Sequence, residues 1–126
     1  MQDRPTAAEL LATIAELLED AVLPATRGPL QHQVRVAANL CRILEREQAL
    51  GPASDARERE LLQTLVDGTE GEASELSRAL ADRLAAGGDL ALERAAWPLL
   101  VEIVRGKLAI AKPGYDDYDF AAEASR

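Results

Sequence analysis

The stretch from Gly28 to Gly51 constrains the fold most, because its apolar residues recur at the period of an α-helix. It reads GPLQHQVRVAANLCRILEREQALG, with Pro29 at a position that favours a helix start and Gly51 at the end. On a helical wheel its apolar residues fill an arc of roughly 180°, wider than the stripe of an ordinary surface helix. The pattern predicts a central helix over about 29–50 whose buried arc is Leu30, Val34, Val36, Ala37, Leu40, Cys41, Ile43 and Leu44.

Signals for helix ends divide the rest of the chain into further helices. Thr6 and Glu9 form a capping box that begins the first helix, and Pro24 closes it. The pair Gly51-Pro52 is expected to break the central helix, so that Ser54 or Asp55 caps a third helix. The predicted end of that third helix is Gly68.

Two more helices are predicted after an acidic, turn-rich loop. The fourth starts near 73–75 and stops at Gly87-Gly88, and the last runs from an Asp89 cap to about Lys112. Within the last helix, Pro98 predicts either a kink or a break at Trp97. The fold class is therefore all-α, an antiparallel bundle of five to six helices with helix 2 (about 29–50) central. One domain is predicted over 1–114, followed by an acidic, aromatic tail over 115–126.

Composition excludes several classes of function. The net charge is −8 and only four residues are aromatic, which argues against nucleic-acid binding by phosphate contacts or base stacking. No stretch reaches the 18 apolar residues of a membrane span, and the N-terminus lacks the pattern of a secretion signal. Cys41 is the only cysteine, so no internal disulfide is possible, and a cytoplasmic location is expected.

Catalytic and metal motifs are missing from the sequence. The single histidine, His32, and the single cysteine lie nine residues apart in one helix, hence about 180° apart around its axis. Neither zinc spacings nor a di-iron arrangement can be built, since the residues three positions from His32 are Pro29 and Arg35. Phosphate-binding glycine loops and GxSxG are also absent. We therefore assign no catalytic residue, metal or cofactor, and lean against an enzyme.

One polar strip stands out on the central helix. It falls on an arc only about 80° wide, and residues 30–50 carry a net +1 while the rest of the protein sums to −9. Two interpretations remain open: a solvated face with Arg42–Glu45 pairing, or a strip that binds a ligand or partner through its guanidinium groups. Its members, called the Arg strip below, are His32, Arg35, Asn39, Arg42 and Arg46.

The aromatic residues are the other candidates for contact with a partner. Tyr115, Tyr118 and Phe120 lie in the tail beside three aspartates, whereas disordered tails are usually poor in aromatics. We expect the tail either to dock on the Arg strip, of the same chain or of a dimer mate, or to fray in solution. Trp97 is interpreted as an anchor in the core or in an interface.

Several stretches resemble a family of small, uncharacterised, all-helical bacterial proteins that carry a domain of unknown function. They are DRPTAAELL at 3–11, LEDAVLPA at 18–25, VRVAANLCRILERE at 34–47, SRALADRL at 77–84 and KLAIAKPGY at 107–115. The resemblance implies genes encoded beside acyl-CoA dehydrogenases and aminoglycoside-phosphotransferase-like kinases. It implies no catalytic residues, and the link to acyl-CoA breakdown is one of association.

The leading hypothesis is a non-catalytic helical accessory protein, a homodimer, that serves acyl-CoA metabolism by contacting an acyl-CoA dehydrogenase or phosphotransferase-like protein. The alternative is a small-molecule binder or enzyme that recognises a phosphate, CoA or carboxylate group at His32, Arg35, Asn39 and Arg42. A third possibility is a purely structural dimer module without a ligand.

Overall fold

The computed structural model describes residues 3–67 and 70–114, and these residues form helices without any strand. The first helix, α1, covers Ala7–Leu17 and begins at the predicted capping box. The Glu9 amide donates to Thr6 Oγ1 at 3.2 Å, and the Thr6 amide donates to Glu9 Oε2 at 3.0 Å. Arg4 also pairs with Glu9, at 3.1 Å, so the residues before α1 are tied to its first turn.

The end of α1 is wider than a regular α-helix. A π-helical turn, Leu18–Val22, follows directly, and a last α-helical turn spans Leu23–Ala25. The chain therefore leaves the helix one residue beyond Pro24, the predicted end. A π turn often lies at a functional position because it displaces the side chains that follow, and this one carries Glu19.

The second helix, α2, is longer than predicted and covers Gly28–Leu65. The predicted break at Gly51-Pro52 is wrong: Pro52 lies inside the helix, and Ser54 and Asp55 continue it instead of capping a new one. An interior proline costs about 3 kcal/mol, but both flanks are rich in the strong helix formers Leu, Glu, Arg and Ala. Continuing an existing helix also avoids the unfavourable nucleation of another one.

The last two helices have nearly the predicted bounds. The third, α3, covers Ala73–Ala86 and ends at Gly87, whose positive φ of 72° suits glycine. The fourth, α4, covers Leu90–Ala111 and begins at Asp89, whose side chain accepts from the Leu92 amide at 3.0 Å. Pro98 lies within α4 and does not split it. Over the described residues the count is thus four helices, not five or six, because neither proline divides its helix.

The chain divides into two compact units, Met1–Pro52 (unit 1) and Ala53–Arg126 (unit 2). In unit 1, α1 turns back at 26–27 into the first half of α2, and the Gln31 amide group donates to the carbonyls of Leu23 and Thr26 at 3.3 and 2.9 Å. Both helices of this hairpin bury small or medium-sized residues: Ala15 on α1 is fully buried, and Val34 and Ala38 on α2 are nearly so.

The largest buried side chains lie in unit 2. Its core consists of Leu62, Val66, Leu76 and Leu80, all at most 2% exposed. Residues from α4 pack against this cluster, among them Leu92, Leu100 and Ile103. The best-formed core of the described residues therefore lies beyond the helix that the sequence pattern marked as central.

Burial of the apolar arc on α2 is only partial, which corrects the sequence interpretation. Of the residues predicted to be buried, Val34 is buried, and Ala37, Cys41 and Ile43 are half-buried. The other half of the arc is exposed: Leu30, Val36, Leu40 and Leu44. One neighbouring helix covers less than half of a helix circumference, and in the described part of unit 1 the other helix that precedes α2 is α1 with its π-helical end.

Some predictions fall outside the residues that the structure describes. They are the helix end at Gly68 and the docking of the tail residues Tyr115, Tyr118 and Phe120. The single domain over 1–114 stays a prediction. Within the described residues, none of the helices is long and apolar enough to cross a membrane.

Candidate functional site

The Arg strip lies along α2 in unit 1 at intervals of three, four, three and four residues. Because α2 is a continuous helix from Gly28, these intervals place all five side chains along one side. His32, Arg35 and Asn39 are exposed, whereas Arg42 and Arg46 are half-buried. The strip thus has an exposed half near the start of α2 and a half-buried part beyond it.

Arg42 is held by two carboxylates of the same unit. Its Nε donates to Glu19 Oε1 at 2.7 Å, and its Nη1 donates to Glu45 Oε2 at 3.0 Å. The hydrogen bond that Arg42 donates to Glu19, followed by the one it donates to Glu45, raises the pKa of Arg42 above its already high ordinary value. The guanidinium group therefore already has carboxylate partners on two of its edges.

The Arg42–Glu19 contact joins α2 to the π-helical turn at the end of α1. The sequence interpretation included Arg42–Glu45 pairing, which the structure contains, but it missed Glu19, which lies 23 residues away. The only sequence signal for Glu19 was its place in an acidic pair just before Pro24. Arg46, the last member of the strip, is not free either.

Unit 2 repeats the same arrangement around Arg57, 15 residues further along α2. Arg57 Nε donates to Glu102 Oε1 on α4 at 2.9 Å, and Arg57 Nη1 donates to Glu60 Oε2 at 3.1 Å. The hydrogen bond with Glu102, then that with Glu60, raises the pKa of Arg57. Lys107 also pairs with Glu58 at 3.2 Å. The two pairs of Arg57 are more exposed than those of Arg42, so each contributes little to stability.

An open cleft of about 360 Å³ lies beside the start of α3 in unit 2. Its lining mixes acidic, basic and small residues, without the largely apolar enclosure and few convergent polar groups typical of small-molecule sites. Among the described residues, no group of three or more His, Cys, Asp or Glu side chains is placed to hold a metal ion. The cleft is lined by Asp55, Ala56, Arg59, Glu72, Ala73 and Ser74.

A row of exposed apolar residues runs along α4. Leu90, Trp97 and Val104 are seven residues apart, and each is more than half exposed. Residues seven apart lie almost directly above one another on a helix, so the three side chains form one row, called the α4 row below. About 100° around the same helix from this row, Ala96 is buried. Trp97, at 55% exposed, is therefore not a core residue, and its role as an interface anchor stays a prediction.

The described residues thus form an all-helical protein in which Arg42 and Arg57 are each held by two carboxylates. Residues 24–115 match the family described as Domain of unknown function (DUF6285). The match covers most of the chain, so the protein belongs to this family. No curated protein and no solved structure matches the chain.

Proposed function

We propose that this protein is a non-catalytic accessory protein that binds another protein, and that the bound protein is an enzyme of acyl-CoA metabolism. The observation that carries the proposal is the α4 row. Large apolar side chains aligned at seven-residue spacing and exposed to water are the usual means by which one helix packs against another. The link to acyl-CoA metabolism rests on the family resemblance, whose members are encoded beside acyl-CoA dehydrogenases.

Trp97 is the expected energetic centre of this contact. Tryptophan is among the residues most enriched at binding hot spots, because it removes a large apolar area from water with few rotatable bonds. Glu93 and Arg94 flank the row and are exposed. An apolar centre with a charged rim of both signs suits a partner with an apolar helical surface, such as an acyl-CoA dehydrogenase or phosphotransferase-like protein.

The test combines capture in the native host with purified proteins. The tagged full chain is expected to recover an acyl-CoA dehydrogenase or phosphotransferase-like protein, and calorimetry then measures Kd for the purified pair. Trp97→Ser should weaken this binding at least about tenfold, as expected for a hot-spot residue. The matched control is Leu50→Ser, which removes an exposed leucine from unit 1. Recovery of no acyl-CoA enzyme, or equal affinity of Trp97→Ser and wild type, would contradict the proposal.

The second proposal is the binding of an anionic group at the Arg strip, and its support is the exposed pair Arg35 and His32. These residues lie three apart and face the same way from the helix, while Arg42 already has two carboxylate partners. A phosphate, CoA or carboxylate group would therefore be bound mainly by Arg35. Thermal-shift measurements with CoA and inorganic phosphate test this: a shift that Arg35→Ala abolishes supports binding, and no shift with either ligand contradicts it.

A further inference from the structure

We propose that the exposed apolar side of unit 1 is the interface of a homodimer, in which two copies of this hairpin form a four-helix bundle. The inference does not depend on the proposed function, since it concerns another unit and another partner. It starts from six leucine and isoleucine side chains, each about half exposed in the structure. They are called the apolar face below: Leu10, Ile14 and Leu17 on α1, and Leu30, Leu40 and Leu44 on α2.

Helix geometry places both sets on the same side of the hairpin. Each residue of an α-helix is rotated by about 100° from the one before it. On α1, the exposed residues lie on average roughly 130° around the axis from the buried Ala15, in the sense opposite to this rotation. On α2, they lie roughly 100° from the buried Val34 and Ala38, in the same rotational sense. Because the two helices of a hairpin run in opposite directions, rotations of about 100–130° in the same sense about their own axes point to one common side.

The same construction places the charges on the other side. The Arg strip lies on average about 100° from the buried residues of α2 in the opposite rotational sense. The contact of Arg42 with Glu19 belongs to that side. The hairpin is therefore amphipathic. One side is mainly apolar, with the exposed Gln33 between Leu40 and Leu44 and Glu47 at its edge, and the other side carries paired and exposed charges.

The spacing of the exposed residues favours another helical hairpin as the occupant. Leu10, Ile14 and Leu17 follow the intervals four and three of a coiled-coil seam, and Leu30 and Leu44 lie two heptads apart. Such seams pack against seams of the same kind. A second copy supplies two of them at the correct separation, so that four seams close into one bundle.

Charge also favours a second copy. Residues 1–52 contain seven acidic and five basic side chains, so unit 1 carries only −2 of the net charge of −8. No member of the apolar face is charged, and two copies that meet there bring no pair of like charges together in its centre. The repulsion expected from the charge of the whole chain is therefore weak at this surface.

The size of the face fits a dimer of moderate affinity. Leu30 and Leu44 are about 21 Å apart along α2, and two adjacent helices are about 20 Å wide, which gives roughly 400 Å² in projection. The accessible area of interdigitating side chains is larger than their projection and approaches the lower end of stable interfaces, about 600 Å² per partner. We expect dissociation in the micromolar range.

The test is the mass of the full chain in sedimentation-velocity experiments at roughly 1–500 μM, the range in which a micromolar complex changes state. Wild type should move from the 13.6 kDa monomer to twice that mass. Leu40→Glu and Ile14→Glu should each raise the dissociation constant at least tenfold, because each places a charge in the apolar face. Leu50→Glu is the matched control, since Leu50 is similarly exposed on the same helix but outside the face, and it should dissociate as wild type does.

Circular dichroism separates loss of the dimer from loss of the fold. Because Leu40 and Ile14 are about half exposed, both variants should keep the helical signal of wild-type monomer at low concentration. A wild type that stays monomeric at the highest concentration would overturn the proposal. So would a dimer that Leu50→Glu weakens as much as Leu40→Glu, because the interface would then lie elsewhere.

Discussion

The contact between Arg42 and Glu19 gives the sharpest test of how unit 1 is held together. Replacement of both residues by glutamine, singly and together, removes the charges and keeps most of the packing of the side chains. The coupling energy from this double-mutant cycle isolates the pair from the neighbouring Glu45. The side chains of Arg42 and Glu19 are 32% and 38% exposed, so solvent screens the attraction between their charges only in part.

The expected coupling is about 1 kcal/mol, the upper end of the range for exposed ion pairs, because the bond is short and partly shielded. Arg57 and Glu102 provide the matched control: the same Nε–Oε1 geometry at 2.9 Å, but with side chains 51% and 49% exposed. For that pair we expect a smaller coupling, because solvent screens it more fully. Both couplings should decrease in 1 M NaCl, where the screening length is about 3 Å.

Urea unfolding, followed in parallel by circular dichroism and by Trp97 fluorescence, supplies the free energies. Coincidence of the two signals establishes that the transition is two-state, and unchanged m-values establish that the mutations act on stability. A coupling at Arg42–Glu19 no larger than at Arg57–Glu102 would refute the reasoning. An increase in stability on Arg42→Gln would also refute it, because that result is typical of a residue kept for binding a ligand.

Three further predictions concern stability and use the same unfolding assay. Leu62→Ala should cost about 2–5 kcal/mol because Leu62 is 1% exposed in the core of unit 2, whereas Leu90→Ala should stay within about 0.5 kcal/mol; equal losses would contradict the assignment of the core. Thr6→Ala should cost about 1 kcal/mol by removing the capping box of α1, more than Thr13→Ala, whose hydroxyl only donates to the Glu9 carbonyl. Gly51→Ala should stabilise α2 by about 0.5–1 kcal/mol, because the added Cβ would lie 3.6 Å from Glu47 Cγ in ordinary contact. Gly106→Ala should gain less, since its Cβ would lie 3.3 Å from Ser54 Oγ, and a larger gain there would contradict the close packing.

Local signals in the sequence predicted the parts of the fold that local interactions decide. The capping box at Thr6 and Glu9 and the cap at Asp89 each depend on residues three apart, and both are present in the structure. The break at Gly51-Pro52 was wrong for a related reason. A helix boundary depends on the balance between the local cost of proline and the propensity of both flanks, and here the flanks prevail.

The candidate site was predictable only in its spacing. Helical periodicity places the five members of the Arg strip along one side of α2, but it does not identify what faces them. Glu19 is 23 residues from Arg42 and lies in a π-helical turn. A π-helical turn contains more residues than an α-helical turn, so a pattern with a period of 3.6 residues does not predict where its side chains lie. Partners of charged side chains across a hairpin depend on that register, so Arg42 could be paired with Glu45 from the sequence but not with Glu19.

The width of the apolar arc on α2 has a consequence that periodicity alone does not reveal. A helix packed against one neighbour buries a stripe of about 100°, whereas the arc from Leu30 to Leu44 covers roughly 180°. Among the described residues of unit 1, Val34 and Ala38 are buried, whereas Leu40 is more than half exposed. The homodimer proposed above would give this excess arc a second neighbour. Since α1 carries its own excess at Leu10, Ile14 and Leu17 on the same side, one further hairpin of the same kind would cover both at once.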